Sequence, residues 1–447
     1  MDGLLRHESA LTAPATEPFD AAAENGDAGT RNLAPDSYAL DASAMETPVP
    51  YEQTAYRDAL PPEIAVKRLA QPGPPRLNVI VPHLYREHAF GGVLSALELG
   101  GELAGGYPEV RFVSMAEAPP EEQRIDLAGL VRGEARNNVS IASTANAQPL
   151  SCHARDILFC TYWPSVLAWR RQAALMEQAG LAPNPFYYFI QDWEPGFYPL
   201  GAKYMAAEST YGHGDFCFAI FNSRELARFF QQRKYLLPKA AVIAPSLNPV
   251  LHNVLKAWGF TLPPKPTENV SILVYGRPRQ PRNCFPVILE GLARWLKEAP
   301  PQERRNLRLL SAGVAHESIE LAPGAVLRSL GKLSLPDYAA ALAQSHVGVS
   351  LMASPHPSYP PLEMAAFGLE VVTNNFPGKD LSQSHPRIRS IPAPEPEALA
   401  RAVGQAVESA RARAGRPEQA QLPDAMSPDP WKANIQKARI PRLSPTS

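Results

Sequence analysis

Short, unbroken apolar runs, each followed by a stretch of helical character, recur along most of this chain. They form two series. The first holds "NVIVP", "VRFVSM", "DILFCTY", "FYYFIQD", "FCFAIFNS" and "AVIAP"; the second holds "VSILVYGRP", "LRLLSAG", "HVGVSLM", "LEVVTNN" and "RIRSIPA". A strand that is apolar at every position has no wet face, so it belongs in a parallel sheet covered by helices on both sides. The intervening segments supply those helices: "GGVLSALELGGELA" and "PSVLAWRRQAALMEQAG" in the first series, "CFPVILEGLARWLKEA", "LPDYAAALAQS", "PPLEMAAFG" and "PEALARAVGQAVESARARA" in the second. The expected fold is therefore α/β, two Rossmann-like doubly wound domains facing a cleft.

The break between the series is "AWGFTLPPKPTEN". It divides the chain into an N-terminal domain over 75–252 and a C-terminal domain over 268–413. Residues 1–74 are rich in Ala, Pro, Asp and Glu and read as a flexible extension, with one short helix near Ile64 to Leu69. Residues 414–447 read as a flexible, Pro-rich tail in which "DPWKANIQKA" is one docking helix.

The totals narrow the class. A formal net charge of -1 over 447 residues argues against a nucleic-acid partner held by bulk electrostatics. Cys152, Cys160, Cys217 and Cys284 are scattered without a CxxC pair and read as reduced core thiols. There is no signal-peptide h-region and no apolar run of spanning length, so a soluble, cytoplasmic protein is expected, with peripheral contact at the inner face of a membrane left open.

In open α/β sheets ligands bind beyond the carboxyl ends of the strands, so the strand-to-helix turns are the places to search. Gly91 and Gly92 open the helix after "NVIV"; they are either an ordinary glycine turn or an anion site of free helix N–H groups. No GxGxxG is present, which leaves a dinucleotide oxidoreductase without its fingerprint. In "FIQDWEPGFYPLGAKY" the carboxylates Asp192 and Glu194 alternate with Trp193, Phe197 and Tyr198. Such a loop either binds a sugar or is merely pinned by its rings. Arg277, Arg279 and Arg282 fall within six positions after "LVYG". Planar guanidinium groups there suit a diphosphate, and a solvated basic loop is the alternative. Lys332, ahead of the helix that starts near Pro336, offers a further point charge. Pro360 and Pro361 fit the first positions of a short helix that Gly368 ends. Glu363 is expected in its first turn, favoured there by the helix dipole, and free to hold ribose hydroxyls beside Tyr359.

These turns, in this order, resemble those of the GT-B glycosyltransferases, and more closely the WsaF-type rhamnosyltransferases that build bacterial surface glycans. "FGG", "YFIQDWEPGFYPLGAKYMAAESTYG", "YGRPRQPRNCF" and "GKLSLPDYAAALAQSHVGVSLMASPHPSYPPLEMAAFG" carry the resemblance, over roughly residues 77 to 400. It implies transfer of L-rhamnose from dTDP-β-L-rhamnose to a growing glycan, lipid-linked acceptors included, without a metal or other cofactor. Arg277, Arg282 and Lys332 would hold the diphosphate, with Arg279 a second candidate. Glu363 would bind the deoxyribose, Tyr359 would lie close to the nucleotide sugar, and Gly91 and Gly92 would let the first loop approach the donor. Asp192 would act on the acceptor side or in catalysis. Many retaining GT-B enzymes carry a Glu eight positions before the ribose-binding one, in an EX7E motif; Pro355 stands there in this chain. That leaves the donor sugar's hydroxyls to His356, Ser358 or backbone N–H groups. A UDP- or GDP-hexose donor and a non-catalytic nucleotide-sugar or glycan-binding protein are the alternatives.

Overall fold

The computed structural model describes residues 60–62, 64–87 and 91–446. Most of the N-terminal extension lies outside these residues. The first sheet takes strands β2 (Arg76–Val81), β3 (Glu109–Ser114), β4 (Val139–Ser143), β6 (Asp156–Cys160), β7 (Phe186–Ile190), β8 (Cys217–Phe221) and β9 (Lys239–Val242). They lie in the order β4-β3-β2-β6-β7-β8-β9, every neighbour parallel. All five residues of β6 and of β7 are buried, as continuous apolar runs require. One face packs Val166, Trp169 and Phe230 against the sheet; the other packs Leu97, Leu99 and Ala104.

The second sheet repeats the plan with β11 (Val270–Gly276), β12 (Leu307–Gly313), β13 (Ile319–Ala322), β14 (Ala325–Gly331), β15 (Val347–Val349), β16 (Glu370–Asn374) and β17 (Ile388–Ile391). Its order is β13-β14-β12-β11-β15-β16-β17, with only the β13–β14 pair antiparallel. Helix Phe285–Glu298 buries Phe285, Ile288, Leu292 and Leu296, spaced three and four apart. It lies against helix Pro396–Arg413, which buries Leu399, Val403, Ala406 and Val407. Each such Leu, Ile or Phe stabilises the fold by about 1.5–3 kcal/mol relative to exposure.

Strand order reverses between β2 and β6 in the first sheet and between β11 and β15 in the second. At such a switch point the helices on either side leave for opposite faces, and a crevice opens at the strands' carboxyl ends. The loops bearing Gly91 and Arg277 follow β2 and β11. Those bearing Asp192 and Ser354 follow β7 and β15.

Two expectations are corrected. Residues Val66–Arg68 form a strand, β1, rather than a helix near Ile64 to Leu69; it pairs in parallel with β5 (Leu150–Cys152). The unpaired edge of β5 supplies the reason: the Leu69 N–H reaches Cys152 O at 2.7 Å and the Leu150 N–H reaches Ala65 O at 2.9 Å. Order thus begins before residue 74.

The C-terminal stretch is not a flexible tail. β18 (Glu418–Gln419) pairs antiparallel with β10 (Thr261–Leu262), and helix Trp431–Lys437 then docks on the N-terminal domain. Trp431, Ile435, Ile440 and Leu443 add to that domain's apolar cluster. Asn434 Nδ2 donates to Ser246 Oγ at 2.8 Å and Ala244 O at 3.2 Å. The buried hydroxyls of Tyr107 and Tyr187 donate to Leu443 O at 2.8 Å and Pro441 O at 2.9 Å. The expected docking helix is present, and the residues after it, read as flexible, join it on the sheet face that Leu97, Leu99 and Ala104 also cover.

The two domains also meet through side chains. Helix Arg224–Gln232 brings Phe229 to 5.9 Å from Phe376, ring to ring. A Cβ at Gly378, whose φ is 80°, would fall 2.9 Å from the Phe229 backbone nitrogen, so only glycine allows this approach. Among the described residues no helix is long and apolar enough to cross a membrane.

Candidate active site

The site is built where the loop after β7 meets the loops after β11 and β15 of the other sheet. After β11 the chain makes a short turn, Pro281–Asn283, and enters the next helix through Cys284, held at a positive φ of 50°. This turn is fastened to the loop after β15: the Ala353 N–H donates to Arg282 O at 2.7 Å, and buried Asn283 donates through Nδ2 to Leu351 O at 3.4 Å. Arg282 is half-buried, with its guanidinium 4.3 Å from the Phe197 ring of the N-terminal domain, and its Nε has no hydrogen-bond partner.

Arg277 is half-buried and Arg279 exposed on the same turn. Lys332 is exposed just past β14, ahead of helix Leu335–Gln344, which Ser334 caps by accepting from the Asp337 N–H. β14 lies two strands from β11, roughly 10 Å along the sheet edge at about 4.8 Å per strand. A nucleoside diphosphate laid across these carboxyl ends is long enough to meet both turns. Gly91 and Gly92 begin helix Gly91–Ala104 at the first sheet's switch point, with open space where a Cβ of Gly91 would stand. Gly92 packs against Gln191, whose Oε1 would lie 3.0 Å from an added Cβ.

Asp192 crosses the cleft. Its Oδ1 accepts from the Trp193 N–H at 2.8 Å and from the Ser354 hydroxyl of the C-terminal domain. The other residues of its loop are mostly structural. Glu194 Oε2 accepts from the Trp163 N–H at 2.6 Å and from the Tyr188 hydroxyl at 3.2 Å, filling the N-terminus of helix Trp163–Gln178. Burial, reinforced by Asp192, pushes its carboxyl up to about 8. Trp193 donates to the Tyr235 hydroxyl at 2.9 Å and stacks under Arg233, while Tyr198 accepts from Trp163 Nε1 at 3.0 Å. Those rings pin the loop. Phe197 remains 39% exposed at the cleft.

From Ser354 the chain folds onto itself. The His356 N–H donates to Ser354 Oγ at 3.0 Å and the Ser358 N–H donates to His356 Nδ1 at 3.0 Å. Ser358, at φ 67° and ψ 145°, holds a conformation rare outside glycine, and it sets the entry of helix Tyr359–Ala366. Gly368, at φ 77°, ends that helix: its N–H and that of Leu369 close on Ala365 O and Met364 O.

The helix begins at Tyr359, so Glu363 lies one turn in and outside the first turn, which corrects the expected dipole stabilisation. It is 9% exposed. Burial pushes its carboxyl up to about 7, and the neighbouring Tyr338 hydroxyl pulls the other way without making a well-formed hydrogen bond. A desolvated carboxyl with spare acceptor capacity suits a ligand hydroxyl. Tyr359 is close by; burial, then Glu363, raises its hydroxyl to about 12.

This placement carries a pH prediction. Below about pH 4.5 the Glu363 carboxyl is protonated in folded and unfolded chains alike. Between there and about pH 7 the unfolded chain releases its proton first, so this group's contribution to stability falls as pH rises. Glu363→Gln escapes that loss. Its stability relative to wild type is expected to rise between pH 4.5 and 7 by on the order of 3 kcal/mol at most. Urea denaturation of both proteins at pH 5 and pH 8 checks this; a pH-independent difference would contradict the buried carboxyl.

Sequence reasoning missed Lys379. It is 2% exposed just beyond β16, with Nζ donating to Met352 O at 2.8 Å. Burial depresses its amine to about 7, opposed chiefly by Asp192. Its one available signal is position, a lysine directly past a strand's carboxyl end. The four thiols are free; Cys152, Cys160 and Cys217 are buried and Cys284 is half-buried.

The family models described as the N-terminal domain and the C-terminal domain of WsaF match residues 76–224 and 270–404. A curated protein of Myxococcus xanthus, "O-antigen biosynthesis protein RfbC", is 29% identical over 286 residues, 64% of this chain. The match spans about a fifth of that relative's length. Among solved structures, the sucrose-phosphate synthase of Thermosynechococcus elongatus superposes with a TM-score of 0.50 at 13% identity, over 81% of this chain and 94% of its own. "WaaG, a glycosyltransferase involved in lipopolysaccharide biosynthesis" superposes at 0.45 and 12% identity, over 81% and 94%. With two facing doubly wound domains and this superposition on the synthase, the fold is GT-B.

Proposed function

The chain belongs to the WsaF family, and from that premise we propose that it transfers a sugar from a nucleoside-diphosphate donor to a growing bacterial surface glycan, with dTDP-β-L-rhamnose as the donor. One observation carries the reading. The C-terminal domain gathers Arg277, Arg282, Lys332 and the desolvated Glu363 along the carboxyl edge of one sheet, and Asp192 faces them from the other domain. Arginine and lysine answer the charge that grows on a leaving diphosphate as the sugar passes through its oxocarbenium-like state. Charges carried by side chains can meet that demand without a metal. Glu363 accepts from the nucleoside's sugar, and Asp192 Oδ2 is available to the acceptor hydroxyl. Closure of the domains excludes the water that would hydrolyse the donor.

The chemistry of Glu363 alone leaves the nucleoside open. A carboxylate bridging two vicinal hydroxyls favours a ribonucleotide; one taking a single 3′-hydroxyl accepts dTDP. Thermal shifts with dTDP, UDP and GDP separate these, since a ligand of the native state raises the midpoint in proportion to its affinity. The expected order places dTDP first. Incubation with dTDP-L-rhamnose and a glycan acceptor should then release dTDP, in EDTA as without it. Stabilisation by UDP alone would overturn the donor, and binding without release would leave a non-catalytic protein.

A further inference from the structure

His356 is 9% exposed, and the protein engages only one of its ring nitrogens. Nδ1 accepts the Ser358 N–H at 3.0 Å, so in the neutral ring the proton resides on Nε2. That Nε2–H is buried and has no hydrogen-bond partner. A buried orphan donor costs stability, and it persists where something outside the fold completes it. Three charged groups bear on the ring: Asp192, Lys379 and Arg282. Asp192 is also joined to the same loop through Ser354, whose Oγ accepts the His356 N–H.

Given the nucleotide-sugar reading above, on which this inference rests, Arg282 marks the diphosphate side and Asp192 the acceptor side. That reading puts the transferred sugar between them, and both groups act on the His356 ring. We infer that His356 Nε2–H donates a hydrogen bond to a hydroxyl of the transferred sugar and so discriminates the nucleotide sugar from the bare nucleotide. The ring's chemistry agrees. Burial, with Lys379 and Arg282, holds its basicity down to about 4 against the pull of Asp192. A neutral donor suits a hydroxyl, while the diphosphate oxygens gain more from a cation such as Arg282.

Two substitutions separate the nitrogens. His356→Asn puts an acceptor where Nδ1 stood, keeping the Ser358 N–H satisfied, and removes the Nε2 donor. His356→Gln keeps an amide donor near Nε2 and gives up the Nδ1 acceptor. Calorimetric titration of wild type and both variants with dTDP and with dTDP-L-rhamnose, alongside UDP and UDP-glucose, reads the effect. The Asn variant is expected to bind the nucleotide sugar roughly tenfold more weakly, with the nucleoside diphosphate unchanged. The Gln variant should retain most of the nucleotide-sugar affinity. Equal losses for nucleotide and nucleotide sugar, or an Asn variant indistinguishable from wild type, would overturn the inference. If the wild type binds none of the four ligands, it is the underlying donor reading that fails.

Discussion

Replacing Asp192 by Asn should lower kcat by roughly 10²–10⁴, the range for removing a positioned acid–base group, while leaving the melting temperature within a few degrees. The substitution isolates charge from architecture. Oδ1 already holds the Trp193 N–H and the Ser354 hydroxyl, and an asparagine oxygen can accept both. The other oxygen becomes an amide NH₂, which donates where an acceptor's hydroxyl proton would have to be received. Steady-state kinetics with saturating donor checks this. A kcat within about threefold of wild type would remove Asp192 from the chemistry and leave it a tie between domains.

Arg277→Ala and Lys332→Ala should each weaken dTDP binding by roughly ten- to a hundredfold, since a charge-assisted hydrogen bond contributes about 1.5–3 kcal/mol. Neither side chain is in the core, so stability should change little. Arg279 serves as the internal comparison. It is exposed on the same turn, and Arg279→Ala should shift affinity by no more than about threefold once salt screens it. Calorimetry at low and at physiological ionic strength tests all three. Should Arg277→Ala and Lys332→Ala both bind dTDP as wild type does, the diphosphate must lie elsewhere.

Much of the architecture was legible because a buried parallel strand has to be apolar throughout. That constraint wrote β6, β7 and β16 into the sequence plainly. It does not act on β4 or on the β13–β14 hairpin, where one face is wet and the residues alternate, and those strands escaped notice. β1 and β18 escaped for another reason: each is short and defined by a partner strand's free edge, which no local pattern announces. Lys379 and Tyr338 were illegible in the same way, since what marks them is desolvation by residues distant in sequence. Glu363 was found, but its environment was misjudged by one residue of helix register. A Tyr359 start moved it from the dipole's field into the protein interior.

The docking of residues 431–446 bears on how this chain is made. The strands of the first sheet are complete once Val242 has left the ribosome, yet the acceptors for the Tyr107 and Tyr187 hydroxyls, Leu443 O and Pro441 O respectively, come about 200 residues later. At about 5–20 residues per second the nascent N-terminal domain waits roughly 10–40 s with those hydroxyls lacking their carbonyl acceptors, bonded only to each other, and the face for Trp431 uncovered. By then the second domain's strands have emerged. The two domains therefore mature in an interleaved order, and the segment that completes the first is synthesised after the second.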